Sequence, residues 1–246
     1  PKWVPQSVQD LLTKVILDPV ADYAVNLFER GLTFVYHAEK PYITKSLANN
    51  FTEIKGIVDG MCENPGPKYA DKCATGEMEA RLLKVNMVPD LSQMQCSMMG
   101  AWGSATADGN LVQYRTLDFG GGPFADNNVL LVYHPTDSDH SFAALTFPGF
   151  VGAVTGFSEF VAQSEAEASA VKPKGTYDGQ GDVFIIRDIL QFAKSAEDAV
   201  DMARATSRTW AMWLGVGDIY NKFVPMLYYD DHVEALDEWS VPDYTS

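Results

Sequence analysis

Cys96-Ser97-Met98-Met99-Gly100-Ala101-Trp102-Gly103-Ser104-Ala105-Thr106-Ala107-Asp108-Gly109-Asn110-Leu111-Val112-Gln113-Tyr114-Arg115-Thr116-Leu117-Asp118-Phe119 reads as two strands joined near Asp108-Gly109. A thiol opens the first strand, and an Arg-x-x-Asp closes the second. Asp-Gly is a strong turn signal because tight hairpin turns need positive φ, which glycine adopts freely and aspartate better than most residues. The chemistry is therefore expected at the open end of the hairpin. Register decides whether its parts meet. If Asp108-Gly109 were a two-residue turn, Arg115 would face Trp102, six residues or roughly 20 Å from Cys96 at strand rise. Bringing Arg115 to Cys96 requires the wider 103–109 segment to act as a loop, or a bulge at Gly100 or Gly103.

A thiol that attacks an amide must lose its proton and needs a cation or donors to hold the resulting charge. Arg115 supplies the cation. Cleavage between Gln95 and Cys96 would supply the base, since it frees an α-amine with a reference pKa of about 7.7 to 8.0.

Cys96-Ser97, Gly109 and Arg115-Thr116-Leu117-Asp118-Phe119 resemble the Cys-Thr/Ser … Gly … Arg-Asn-x-Asp-Phe/Trp signature of N-terminal-nucleophile hydrolases. Within that superfamily they are similar to the penicillin acyltransferase-like peptidases, acid ceramidases and choloylglycine hydrolases. The resemblance implies an α+β fold, the four-layer αββα sandwich. It implies a precursor in which 1–95 is a mostly helical pro-segment or α-subunit and 96–246 is the nucleophile-bearing β-subunit. The family fold usually needs more than the 151 residues from Cys96 to Ser246, so the sandwich is expected to be incomplete at the C-terminal end.

The implied activity is hydrolysis or acyl transfer on linear amides by Cys96. Arg115 would steady the thiolate and orient the substrate carbonyl, and Asp118 would fix the α-ammonium. Trp102, Phe119 and Ser158 are the substrate-contact candidates. Ser158 lies in Gly149-Phe150-Val151-Gly152-Ala153-Val154-Thr155-Gly156-Phe157-Ser158-Glu159, which is similar to the family's Gly-x-Asn-Glu segment. The family's oxyanion-hole Asn does not carry over, because Trp213 stands where it is expected. Two other readings remain open: a phospholipase B-like acyl-ester hydrolase, and a binding protein that never matures.

Composition limits the partners. The chain has 246 residues, of which 46% are hydrophobic, enough for a sizeable core. Its net charge of −15 argues against nucleic acid or an anionic membrane surface. It suits an acidic compartment. The expected partners are a small acyl-amide substrate and the two subunits of one precursor, with a homo-oligomer left open; no cofactor or metal is expected. His37, His134, His140 and His232 lack metal-ligand spacing.

Cys62 and Cys73 bracket a polar, turn-rich segment that a disulfide would close, leaving Cys96 as the odd thiol; the alternative is that both are reduced. Asn50-Phe51-Thr52 is a glycosylation sequon. Together they favour a lysosomal or secreted route.

Helical spacing marks 7–30, with a break at Pro19 and a stop at Gly31, and again 76–88 and 182–204. Ser195-Ala196-Glu197-Asp198 reads as a helix restart with Ser195 as N-cap. Strands are expected at 33–43, 129–133, 141–147, 151–157, 210–218, 225–229 and 233–236.

Overall fold

The structure is a computed structural model that describes residues 19–67, 69–92, 96–117, 128–138, 140–167, 176–209 and 211–236. Up to Ser92 the described chain is helical; from Cys96 onward it is a sheet structure with one helix pair inserted.

The helical part comprises α1 (Pro19–Ile43), α2 (Asn50–Cys62), α3 (Ala70–Ala74), α4 (Glu77–Asn86) and α5 (Val88–Ser92). The 33–43 stretch, expected as a strand, is the second half of α1, and the helix runs on through Gly31. Its buried positions, Leu32, Val35, Glu39 and Ile43, recur every three or four residues, a helical rather than a strand period. In α2, Ile54 and Val58 turn inward, and Ile54 joins Leu83 and Met87 in meeting Phe147, Phe150, Val151 and Phe184 in one apolar cluster.

Cys62 and Cys73 form a disulfide that ties the end of α2 to α3. Closing so short a loop contributes about 3 kcal/mol in the chain-entropy account. Its selective reduction is expected to lower the unfolding free energy by that amount, read as a lower urea midpoint, with the change in slope that a looser unfolded state brings.

Asn50 lies in the first turn of α2 and is fully buried, and its side-chain nitrogen donates to Ser46 Oγ at 3.1 Å. That nitrogen is the atom a glycan would occupy, so the glycosylation expected at Asn50 does not fit this packing.

The sheet part begins with the hairpin β1 (Cys96–Ala101) and β2 (Val112–Leu117). A seven-stranded antiparallel meander follows: β3 (Val129–Tyr133), β4 (Phe142–Thr146), β5 (Thr155–Ser158), β6 (Val161–Glu167), β7 (Met212–Asp218), β8 (Phe223–Tyr228) and β9 (Val233–Ala235), in that spatial order. Of the 151–157 stretch expected as strand, only the end is one.

Between β6 and β7 the chain makes α6 (Asp182–Phe192) and α7 (Ala196–Ala205), which cover one face of the meander. Ser195 accepts from the Asp198 amide at 3.1 Å, the N-cap that its sequence context predicts. Ile189 and Leu190 from α6 and Ala199 and Ala203 from α7 pack on Leu214, Val216, Met226 and Tyr228 to form the main core. The small alanines bring α7 close to the strands.

The hairpin lies on the opposite face, over β6 and β7. Glycines make that approach feasible. A Cβ on Gly100 would sit 2.6 Å from the Phe223 ring, and one on Gly215 would sit 3.0 Å from Met98 Sδ. Helix pair, meander and hairpin thus stack as three layers among the described residues, a mixed α+β arrangement. No helix among them is long and apolar enough to cross a membrane.

The helical part is fixed to the sheet part by polar contacts. Asn86 accepts from the Val151 amide at 2.8 Å and donates to the Gly149 carbonyl at 3.0 Å. Asp188 accepts from the Ala48 amide at 3.0 Å. Arg187, fully buried and stacked 4.0 Å from the centre of the Tyr133 ring, pairs with Glu53 at 2.5 Å.

Candidate functional site

Hairpin register brings the thiol and the guanidinium together. Cys96 faces Leu117 and Met98 faces Arg115, so Cys96 and Arg115 are diagonal neighbours on one face. This is the wide-loop solution. Residues 102–111 form the connection, with a 3₁₀ turn at Gly103–Ala105. Gly103 donates to the Gly109 carbonyl at 3.1 Å, and Asp108 Oδ1 accepts from the Asn110 amide at 3.1 Å. Gly103 and Gly109 both take positive φ, 60° and 78°. Asp108-Gly109 is therefore a turn inside a longer loop, four register steps away from a two-residue hairpin. Leu111 donates to Asn221 Oδ1 at 2.9 Å, which pins the loop to the β7–β8 turn.

Alternation along both strands turns Cys96, Met98, Gln113 and Arg115 toward the meander and leaves Met99, Val112 and Tyr114 exposed. Gln113 holds the layers in register, donating to Ser164 Oγ at 2.6 Å and to the Gly215 carbonyl at 2.9 Å.

The third member of the site is Glu165, in β6. Arg115 Nη2 donates to Cys96 Sγ at 2.9 Å and also to Glu165 Oε1. The thiol lies 3.3 Å from that same Oε1. The Glu165 side chain is 1% exposed and that of Arg115 is 7% exposed, so this ion pair is shielded from water. Burial raises the Glu165 carboxyl, with Arg115 opposing the shift. Burial also pushes the Cys96 thiol up, to about 12; Glu165 adds to the rise and Arg115 counteracts it. In the intact chain Cys96 is therefore a protonated thiol between a cation and a proton acceptor.

The remaining candidates are not gathered at this point. Trp102 follows the far end of β1, roughly 20 Å along the strand from Cys96, where its ring lies 6.2 Å from Phe223. Ser158 is used by the β5–β6 turn: its Oγ accepts from the Phe160 and Val161 amides at 3.2 and 3.1 Å. Phe150 is core, and Phe157 is exposed on β5. Trp213 is half-buried on β7 opposite Ala166. Gln95, Asp118 and Phe119 lie outside the described residues. Sequence reasoning missed Glu165 because β6 itself was not expected; its one signal was an acidic residue alternating with Ala and Ser in Val161-Ala162-Gln163-Ser164-Glu165-Ala166.

No family model matches the chain. Two proteins of Dictyostelium discoideum are similar to it. Protein dcd1B is 32% identical over 208 residues, which cover 84% of this chain and 38% of that protein. Protein dcd1A is 30% identical over 239 residues, covering 93% and 50%. The chain thus spans half or less of the length of these relatives. Among solved structures, a Caenorhabditis elegans ortholog of N-acylethanolamine-hydrolyzing acid amidase aligns over 57% of this chain and 63% of that one, with a TM-score of 0.42 and 18% identity. In its motif order this chain resembles the N-terminal-nucleophile hydrolases.

Proposed function

We propose that the chain is a self-processing N-terminal-nucleophile amidohydrolase or acyltransferase that acts on linear amide bonds, with Cys96 as nucleophile. The observation that supports this most is the placement of the Cys96 thiol, at the start of the first strand, against both Arg115 and Glu165.

In the intact chain Glu165 takes the thiol proton and Arg115 steadies the thiolate. The sulfur attacks the carbonyl carbon of Gln95, and the Gln95–Cys96 C–N bond breaks. Glu165 returns the proton to the leaving nitrogen. Water then hydrolyses the thioester, releasing 1–95 from a Cys96 that now carries a free α-amine. In the mature site that amine takes the thiol proton, the thiolate attacks the acyl carbon of the substrate, and the amine product leaves with the proton. The acyl-thioester passes to water or to an acceptor. Asp118, by resemblance, holds the α-ammonium.

A thiol held near pKa 12 before cleavage is a poor nucleophile for outside substrates, as befits a zymogen. The disulfide between Cys62 and Cys73 is compatible with an oxidising compartment, and we place the protein on the lysosomal or secretory route. The pro-segment and the nucleophile-bearing segment would stay together as two subunits through Asn86, Asp188 and Arg187.

Intact mass is expected to show fragments of 95 and 151 residues, and the matured protein is expected to release amines from N-acyl amides faster than it cleaves matched acyl esters. Faster cleavage of esters would favour the phospholipase B-like reading. A protein that stays whole and turns over neither substrate would be the non-catalytic binding protein.

A further inference from the structure

Three carboxylic acids from three helices meet at the start of α6. Glu39 comes from α1, Asp90 from α5 and Asp182 from the first turn of α6, and none is more than 1% exposed. Gly181 walls the site. A Cβ there would lie 2.3 Å from Asp90 Oδ2 and 2.9 Å from Glu39 Oε2, so both oxygens crowd one backbone position. Asp90 accepts from Thr209 Oγ1 at 2.9 Å, and it lies within hydrogen-bonding reach of Asp182. Among the described residues no donor makes a well-formed hydrogen bond to either oxygen of Glu39 or Asp182, although the Val183 amide is close enough to favour the Asp182 anion weakly.

The surroundings add negative charge rather than positive. Glu165 acts on Asp182 from β6 as a further acid, while Tyr228 from β8 and Tyr177 from the stretch before α6 are neutral phenols whose ionisation the trio opposes. The guanidinium groups of Arg115 and Arg208 are engaged elsewhere. Arg115 is taken by Glu165 and Cys96, and Arg208 donates to the carbonyls of Tyr229, Ala203 and Thr206. Two facing carboxyl groups bond to each other only when one holds a proton, and ionised carboxylates buried together repel while losing hydration. Burial first, then the neighbouring acids, raise Glu39 and Asp182 well above ordinary carboxyl values.

Glu39 and Asp90 belong to the helices before Cys96, and Asp182 to the sheet part after it. We propose that Glu39, Asp90 and Asp182 form a proton-held latch between these two parts: loaded with protons it seats α1 and α5 on α6, and emptied it drives them apart. A carboxyl whose folded value is raised contributes stability that is full below its unfolded value, near pH 4, and is lost as pH rises through the folded value. The seam is therefore tightest in acid and loosens toward neutrality. The latch stands whatever chemistry Cys96 performs.

Hydrogen exchange on the full chain, kept uncut by Cys96→Ala, tests it at about pH 5 and about pH 7.5 after correction for intrinsic rates. Amides of 32–43 and 88–92 should lose protection relative to those of β7 and β8 on going to the higher pH. About tenfold is expected for each unit by which a carboxyl is raised. Glu39→Gln with Asp182→Asn, which mimic the protonated acids, should abolish most of that loss. Equal relative protection of the parent at both pH values would overturn the latch, and so would a double variant that loses protection like the parent. Should the double variant not fold, Glu39→Gln alone is read the same way. Restoration of protection at the higher pH by millimolar Ca²⁺ or Mg²⁺ would make the trio a cation site and also overturn it.

Discussion

Cys96→Ala is expected to remain a single chain under conditions in which the wild type separates into two, and to show no acyl-amide turnover. The other two cysteines are joined in a disulfide, so no second thiol among the described residues can substitute. The variant removes only the sulfur. Arg115 keeps its carboxylate partner and β1 keeps its pairing from Cys96↔Leu117 to Ala101↔Val112, so the thermal midpoint should stay close to that of the uncut wild type. Loss of chemistry with an unchanged fold is what a nucleophile gives; a structural cysteine would lose stability first. Intact mass followed over time, with amine release from an N-acyl substrate, provides both readouts. A Cys96→Ala chain that divides at wild-type rate would show that another protease, or another residue, cuts the protein.

The hairpin was legible in the sequence because its signals are local. Asp108-Gly109 marks the turn region, and strict alternation sets which residues face inward. The register was not legible, because it depends on where ten loop residues fold back, and that is settled by distant contacts such as Leu111 with Asn221. The helix pair was readable from its apolar period and from Ser195.

Two failures have the same cause, tertiary packing overriding local preference. The 33–43 stretch carries β-branched and aromatic residues, yet its inward face includes Glu39, a charged type that hides the helical period. In β6, Ala, Gln and Glu favour helix, and the strand exists because seven residues pair with β7. Missing β6 meant missing Glu165, so the sequence offered the thiol and the guanidinium without the carboxylate between the layers.

Glu165→Gln is expected to separate two consequences that a purely structural residue would not. The substitution keeps shape and removes charge. Arg115, nearly buried, then lacks a counter-ion, and breaking such a pair costs about 3 to 5 kcal/mol, read as a lower urea midpoint. The thiol responds in the opposite direction. Glu165 helps push Cys96 up and Arg115 pulls it down, so without the carboxylate the thiolate becomes easier to form. Alkylation of Cys96 near neutral pH should therefore speed up. Cleavage before Cys96 should nevertheless slow by roughly 10² to 10⁴-fold, because no group remains to carry the proton from sulfur to the leaving nitrogen. Replacing the pair together, Glu165→Leu with Arg115→Met, should recover much of the stability, since apolar side chains of similar size often pack as well as a buried ion pair, and should recover none of the cleavage. If Glu165→Gln cleaves like wild type while its thiol is alkylated faster, the proton travels by another route and Glu165 only tunes the thiol. If alkylation and cleavage both fall in a folded variant, Glu165 holds the hairpin in place and takes no part in the proton transfer.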